Sequence, residues 1–309
     1  MRLRIGLPDL ISPSYFPAIA AVELGLLESA GVDAQIEVVF PVSKTFEDLD
    51  NGKLQLAAGS AHAALYQFKE WRGCRLVCAL SQDMYWFLVV RKDLHPARGD
   101  LSVVKDLRIA AAPGPIDGLR QMLQAVGLDP DRDLSIVSPP GAGSSISFGV
   151  TAAKALELGA VDGFWANGMG AQVAVDGGYG EVVVDARRGD GPLGAAHYTF
   201  PALVATGQMI EEQPDLVEKA VRAVVDAQNA LRRDPNTARE AARHYFPRQE
   251  LDLISSLIER DSAFYDPVLY PEKVEAMNRF AVEIGILSDA DVPYNRVVAT
   301  QFDSIWRNR

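Results

Sequence analysis

The side chains of this 309-residue chain that could do chemistry are few and scattered. Histidines stand at 62, 95, 197 and 244, without a His-Glu-x-x-His or paired Cys-x-x-Cys spacing, so no metal site is expected. Cys74 and Cys78 fall on one face of a predicted strand, roughly 13 Å apart at about 3.3 Å per residue. That is too far for a disulfide, and they read as two small buried hydrophobes. Gly141-Ala142-Gly143-Ser144-Ser145-Ile146 begins like a dinucleotide loop, but Ile146 stands where the third glycine belongs. No Walker lysine is present either, and no cofactor is expected. What remains is a set of polar and aromatic residues in short loops after apolar strands.

Loops at strand carboxyl ends are where α/β sheets hold ligands. That rule nominates Asp9, Ser12, Tyr15, Ser60, His62, Tyr85, Asp117, Asn167, His197 and Tyr198 as ligand-binding residues. Ser60 and His62 stand at a predicted helix N-terminus, where free N–H groups and the helix dipole favour an anion. A simple N-cap serine and an exposed first-turn histidine are the alternatives there. Asp117 reads as a helix cap ahead of a pocket acid. Asn167, an amide in a glycine-rich loop after a buried strand, has no evident structural duty. Tyr15 and Tyr85 are read as stacking platforms for a flat ring. Trp165 reads as core, and Trp86 as core or a stacking wall. Replacing His62 or Asn167 by alanine is expected to weaken ligand binding and leave the fold intact.

The elements that must position these residues come from a phrase that occurs twice. Residues 152–170 read as the end of an amphipathic helix, a stop at Gly159, a short apolar strand and the loop Asn167-Gly168-Met169-Gly170. Leu49-Asp50-Asn51-Gly52 followed by Leu54–Ala58 and Gly59-Ser60 repeats that order. Two copies of helix, glycine, strand and open loop imply two similar α/β lobes facing a cleft. Predicted strands at Leu3–Leu7, Gln35–Phe40, Leu54–Ala58, Arg75–Leu80 and Trp86–Arg91 alternate with helices at Ala18–Glu28, from an N-cap at Ser43, and at Ala63–Trp71. A polar crossing at residues 92–106 then leads to strands Arg108–Ala112, Ser135–Val137, Val161–Trp165 and Glu181–Val184. The chain returns near residues 185–194 into strand Ala202–Thr206 and long helical patterns. The expected division is a discontinuous first lobe, 1–91 plus 190–309, with 92–189 inserted as the second.

The order of these phrases resembles the periplasmic-binding-protein superfold. The branch is the one holding the thiamine-pyrimidine (NMT1/THI5-like) and the nitrate, sulfonate and taurine binding proteins of ABC transporters. The matching phrases are residues 23–33, 49–60 and 88–93, Gly127-Leu128-Asp129-Pro130 and residues 155–162, spread over most of 3–240. The resemblance implies a type II, two-lobed α/β fold, each lobe a mixed sheet flanked by helices, closing on a small ligand at the hinge. It also implies delivery of that ligand to an ABC permease. Departures from the branch are informative. Gln55 stands where the Gly-x-x-Asp phrase usually has aspartate, whereas Asp162 keeps it. Residues 57–66 lack the cofactor-bearing lysine of the pyrimidine synthases, and no cysteine cluster is present. The slot of the nucleophilic cysteine of the sulfinate desulfinases holds Ser12, a far poorer nucleophile without an adjacent base.

A formal net charge of −11 argues against nucleic acid or an anionic membrane surface as the main partner. No apolar stretch approaches the roughly 18–20 residues of a membrane span. The chain opens directly on a core strand, which reads as cytoplasmic as written, or periplasmic if a signal peptide has been removed. Two functions compete. One is a solute-binding protein for a small, ring-containing or anionic ligand. The other is a cytoplasmic lyase, hydrolase or decarboxylase acting on a small aromatic or heterocyclic acid. In the enzyme, His62 or His197 would be general acid–base and Asp9 or Asp117 the orienting group. The absence of nucleophile, metal and cofactor motifs favours the binder.

Overall fold

The structure, a computed structural model, describes residues 2–10, 12–142 and 147–307. The third-glycine position considered above, with the rest of 143–146, lies outside the described residues. Among the described residues ten strands run in chain order: β1 (Leu3–Leu7), β2 (Ala34–Val38), β3 (Leu56–Ser60), β4 (Cys74–Ala79) and β5 (Phe87–Arg91), then β6 (Arg108–Ala111), β7 (Ser135–Val137), β8 (Gly163–Ala166), β9 (Gly180–Asp185) and β10 (Pro201–Thr206). The helices up to the return crossing are α1 (Phe16–Glu23), α2 (Leu26–Ser29), α3 (Val42–Asp50), α4 (Pro115–Ala125), α5 (Phe148–Glu157) and α6 (Gly168–Asp176). Beyond it come α7 (Gly207–Glu212), α8 (Pro214–Arg233), α9 (Thr237–Ala242), α10 (Leu251–Asp261), α11 (Pro271–Glu283), α12 (Tyr294–Val297) and α13 (Asp303–Arg307). None is long and apolar enough to cross a membrane.

The chain forms two units, residues 1–82 with 199–309 and residues 83–198. The first contains a sheet of order β2-β1-β3-β10-β4, the second one of order β7-β6-β8-β5-β9. In each, the strand next to the last runs antiparallel to both neighbours while the others are mutually parallel. The boundaries therefore differ from the expected 91/92 and 189/190. β5 pairs with β8 and β9, so residues 83–91 belong to the second unit, and its return segment extends to Tyr198.

The repeated phrase is a strand-edge clamp. Asp162 accepts from the backbone N–H of Arg108 at 3.0 Å, and its two carboxylate oxygens take Nε at 2.8 Å and Nη2 at 3.0 Å. The same guanidinium donates to the carbonyls of Ala160 and Gly159. In the first copy Gln55 Oε1 accepts from Arg4 N at 3.0 Å, and Arg4 Nη2 reaches Gly52 O. The glutamine that departs from the family phrase thus keeps the hydrogen bond and drops the charge.

Other differences have local causes. The helix expected over Ala18–Glu28 breaks into α1 and α2 at Gly25, which sits at φ +70°. Ser43 lies inside α3, whose N-cap is Pro41. The segment expected as helix Ala63–Trp71 forms two 3₁₀ turns, Ala61–Tyr66 and Lys69–Trp71, and the positive φ of Glu70 and Trp71 interrupts the second. α5 and α6 approach closely through glycines: a Cβ at Gly170 would stand 2.4 Å from Gly149 O.

Arg108, through its hydrogen bond above all, holds the Asp162 carboxyl below the usual carboxylate range, against the opposing effect of burial. A lowered native pKa gives stability that is present above the unfolded value and lost as pH falls through the native one. Asp162→Asn should therefore cost stability at neutral pH, and the cost should shrink toward about pH 3. The penalty of Gln55→Ala should not change over that range. Urea midpoints at both pH values check this.

Candidate functional site

In the first unit β1 to β4 send their carboxyl ends to one edge, where β10 begins. The loop after β1 carries Asp9, Ser12 and Tyr15, exposed by 7%, 1% and 4%. It is held from outside. Tyr265 Oη donates to Pro13 O at 2.7 Å, and Ile254, Leu257 and Ile258 of α10 face Leu10, Pro13 and Phe16 across a small apolar crevice. Ser60 ends β3 and is fully buried. It occupies the N-cap position of the 61–66 turn without capping it, so the simple cap reading fails.

His62 is not the exposed first-turn histidine of the alternative reading. Its ring is fully buried, edge-on to Phe280, with Nδ1 2.9 Å from Thr199 Oγ1. It ties the β3 loop to the residue at which the chain re-enters this unit. Gln228 of α8 donates through Nε2 to Ala79 O and Leu80 O, fixing the carboxyl end of β4.

The second unit has the equivalent edge, formed by the carboxyl ends of β6, β8 and β9 and the start of β5. Asn167, the residue expected to have no structural duty, caps α6. Its Oδ1 accepts from Met169 N at 3.1 Å and Gly170 N at 3.2 Å. Asp117 lies within the first turn of α4, whose N-cap is Gly114, and is half-buried. His197 is largely exposed, its Nδ1 3.0 Å from Asp83 Oδ1, and Tyr198 beside it is half-buried.

Tyr85 is buried rather than open for stacking. Its ring centroid lies 4.8 Å from that of Trp86, and the Arg187 guanidinium carbon sits 5.7 Å over it. Trp86 packs in turn 6.0 Å from Trp165, whose Nε1 donates to Pro115 O at 2.8 Å. Both tryptophans are core-like in burial.

Arg187 escaped the sequence reading. It stands two residues past β9 and is 5% exposed, an unusual burial for a guanidinium. The available signal was the pair Arg187-Arg188 directly after an apolar strand. Arg188 is the ordinary member, bound to Asp185 Oδ2 at 2.9 Å.

Buried polar atoms at these edges lack hydrogen-bond partners: Ser12 Oγ, Ser60 Oγ, Asp185 Oδ1 and Gln228 Oε1. Each lies at, just beyond, or against the carboxyl end of a strand. Buried polar groups are ordinarily completed by protein or ordered water, and the two serine hydroxyls are also able to donate to an acceptor. Elsewhere the chemistry is quiet. Burial pushes the Cys74 and Cys78 thiols well above their ordinary value, against nucleophilic use. No cluster of metal-ligating side chains is found among the described residues.

No protein-family model and no curated protein sequence matches the chain. Solved structures do. The periplasmic nitrate-binding protein of Synechocystis PCC 6803 is 16% identical, with a TM-score of 0.73 over 99% of this chain and 87% of that one. The alkanesulfonate-binding protein of Xanthomonas axonopodis pv. citri, bound to MOPS, is 15% identical, with a TM-score of 0.71 over 96% and 97%. A variant of the desulfurization enzyme DszB, in complex with biphenyl-2-sulfinic acid, is 16% identical, with a TM-score of 0.67 over the whole of both chains.

Because Asn167 caps α6, Asn167→Ala should lower folding stability by about 1 kcal/mol, while Asn167→Asp or Asn167→Ser keeps most of it. Denaturant titration of the three variants checks this. At these identities the likeness is one of fold, and the fold is that of the type II periplasmic binding proteins.

Proposed function

We propose that this protein is a solute-binding protein that holds a small organic anion and hands it to an ABC-type permease. The observation that carries this reading is Arg187, a buried guanidinium at the ligand-binding edge of a chain whose net charge is −11. A guanidinium offers a planar fork of donors suited to carboxylate, sulfonate or sulfinate oxygens. Ser12 and Ser60 add neutral hydroxyls on the first unit. Of the other nominated residues, Asp9 and Tyr15 lie buried in the loop after β1, and His197 and Tyr198 lie on the segment before β10. Asn167, His62 and Tyr85 support those edges from behind, and Asp117 sits beside them in α4.

The chemistry of these residues favours holding over transforming. Ser12 Oγ has no hydrogen-bonded base to activate it, and His62 Nδ1 is engaged with Thr199. Names of structural neighbours support the ligand class: nitrate, an alkanesulfonate site holding MOPS, and an aromatic sulfinate are all anions. In this role the protein works outside the cytoplasmic membrane.

A pooled library of arene- and alkanesulfonates, sulfinates and aromatic carboxylates with their neutral amides tests the reading, by filter retention and mass spectrometry. An anion should be retained at one equivalent and recovered unchanged. Arg187→Ala should weaken its binding by about 2 kcal/mol or more, roughly thirtyfold. Consumption of a compound with a new mass would make the protein an enzyme. Equal retention of acids and amides would remove the anion from the reading.

A further inference from the structure

Resting on the reading of the loop after β1 as part of the ligand site, we infer that Gln82 is a positioning residue for that loop. It acts through a strap, residues 264–270, that leads into α11. Gln82 is the last residue of the first unit before the chain leaves it, and it is 6% exposed. Its Nε2 donates to Asp266 O at 2.8 Å and to Val268 O at 2.9 Å. An amide nitrogen carries two hydrogens, and the two carbonyls take both. The backbone N–H of Gln82 adds a third bond to the strap, to Phe264 O at 2.9 Å.

The sequence of the strap explains why it presents those carbonyls. An aspartate in a loop closes a turn on the backbone two residues on. Asp266 does so, its Oδ1 accepting from Val268 N at 3.0 Å, and its Oδ2 accepts from Tyr270 Oη at 2.9 Å. Between the two carbonyls that grip Gln82, Pro267 O accepts from Ala79 N at 2.9 Å. Ala79 ends β4, which Gln228 holds from α8, so the strap is anchored to a fixed part of the sheet.

The strap's other attachment is the loop. Tyr265, 1% exposed, donates through Oη to Pro13 O at 2.7 Å. Pro13 lies inside the turn that Tyr15 N closes on Ser12 O at 3.0 Å, and Pro13 O also accepts from Phe16 N. The apolar contacts of Leu10, Pro13 and Phe16 with α10 are non-directional and tolerate a slide, whereas a hydrogen bond fixes direction as well as distance. Ser12 and Tyr15 therefore take their places from a donor, Tyr265, whose own backbone is set by Gln82 and Asp266.

The test compares wild type, Gln82→Met, Tyr265→Phe and the double variant, each checked for folding by circular dichroism and melting. Amide hydrogen exchange of the peptide spanning residues 12–16, followed by mass spectrometry without ligand, reads the loop's placement. Each single variant should speed that exchange by roughly fivefold, the effect of about one hydrogen bond. The double variant should be no faster than the faster single one, because both act along one path. Gln82→Asn, one methylene shorter, takes the place of Gln82→Met if the latter does not fold, and should speed the same peptide. Binding of benzenesulfonate and benzenesulfonamide should weaken severalfold and by the same factor for both, since no charge is removed. Unchanged exchange of residues 12–16 in a folded Gln82 variant would overturn the inference. So would an equal rise throughout the first unit, or single effects that multiply in the double variant. If wild type binds neither probe, or the variants loosen the loop without weakening binding, the ligand reading of the loop fails, while the exchange still decides whether Gln82 places it.

Discussion

A parallel sheet delivers every strand's carboxyl end to one edge, and the loops leaving that edge cannot complete one another's hydrogen bonds as a ladder does. In this chain the constraint operates twice. Each sheet is parallel apart from one antiparallel strand, whose start lies among the carboxyl ends of its neighbours. The opposite edges are closed by the Arg4–Gln55 and Arg108–Asp162 clamps. Ser12, Ser60 and Asp185 retain unsatisfied buried atoms at the carboxyl edges. Side-chain hydrogen bonds thus secure one end of each sheet, while the loops at the other end hold buried polar groups.

The edges are also stiffened from behind. His62 joins the β3 loop to Thr199, Gln228 grips the end of β4, and Asn167 caps α6. The two indole rings set the start of β5 and, through Tyr85, the end of β9. Polar side chains used this way are spent on geometry, and their removal acts through the residues they hold.

Much of this was legible in the sequence because it rests on short-range rules. The twice-used helix–glycine–strand phrase announced two like units, and the apolar runs announced most strands, though β3 begins two residues later than expected. Individual side chains were less legible. Asn167 was singled out by its loop, but an amide one residue before a helix is also a cap, and only the helix's true start decides. A first-turn helical position predicts an exposed His62; the 3₁₀ turn buries it instead. Arg187 went unseen because burial of a charge depends on what folds around it. Residues 83–91 were assigned to the wrong lobe because local pattern shows a strand but not its partner.

The central claim is that the carboxyl-end edges hold an organic anion. A crystal structure of the protein with the compound it retains from the library tests this most directly. An acid oxygen of that compound should lie within hydrogen-bond distance of the Arg187 guanidinium. A compound seated away from Arg187, or meeting it through no acidic group, would overturn the anion reading.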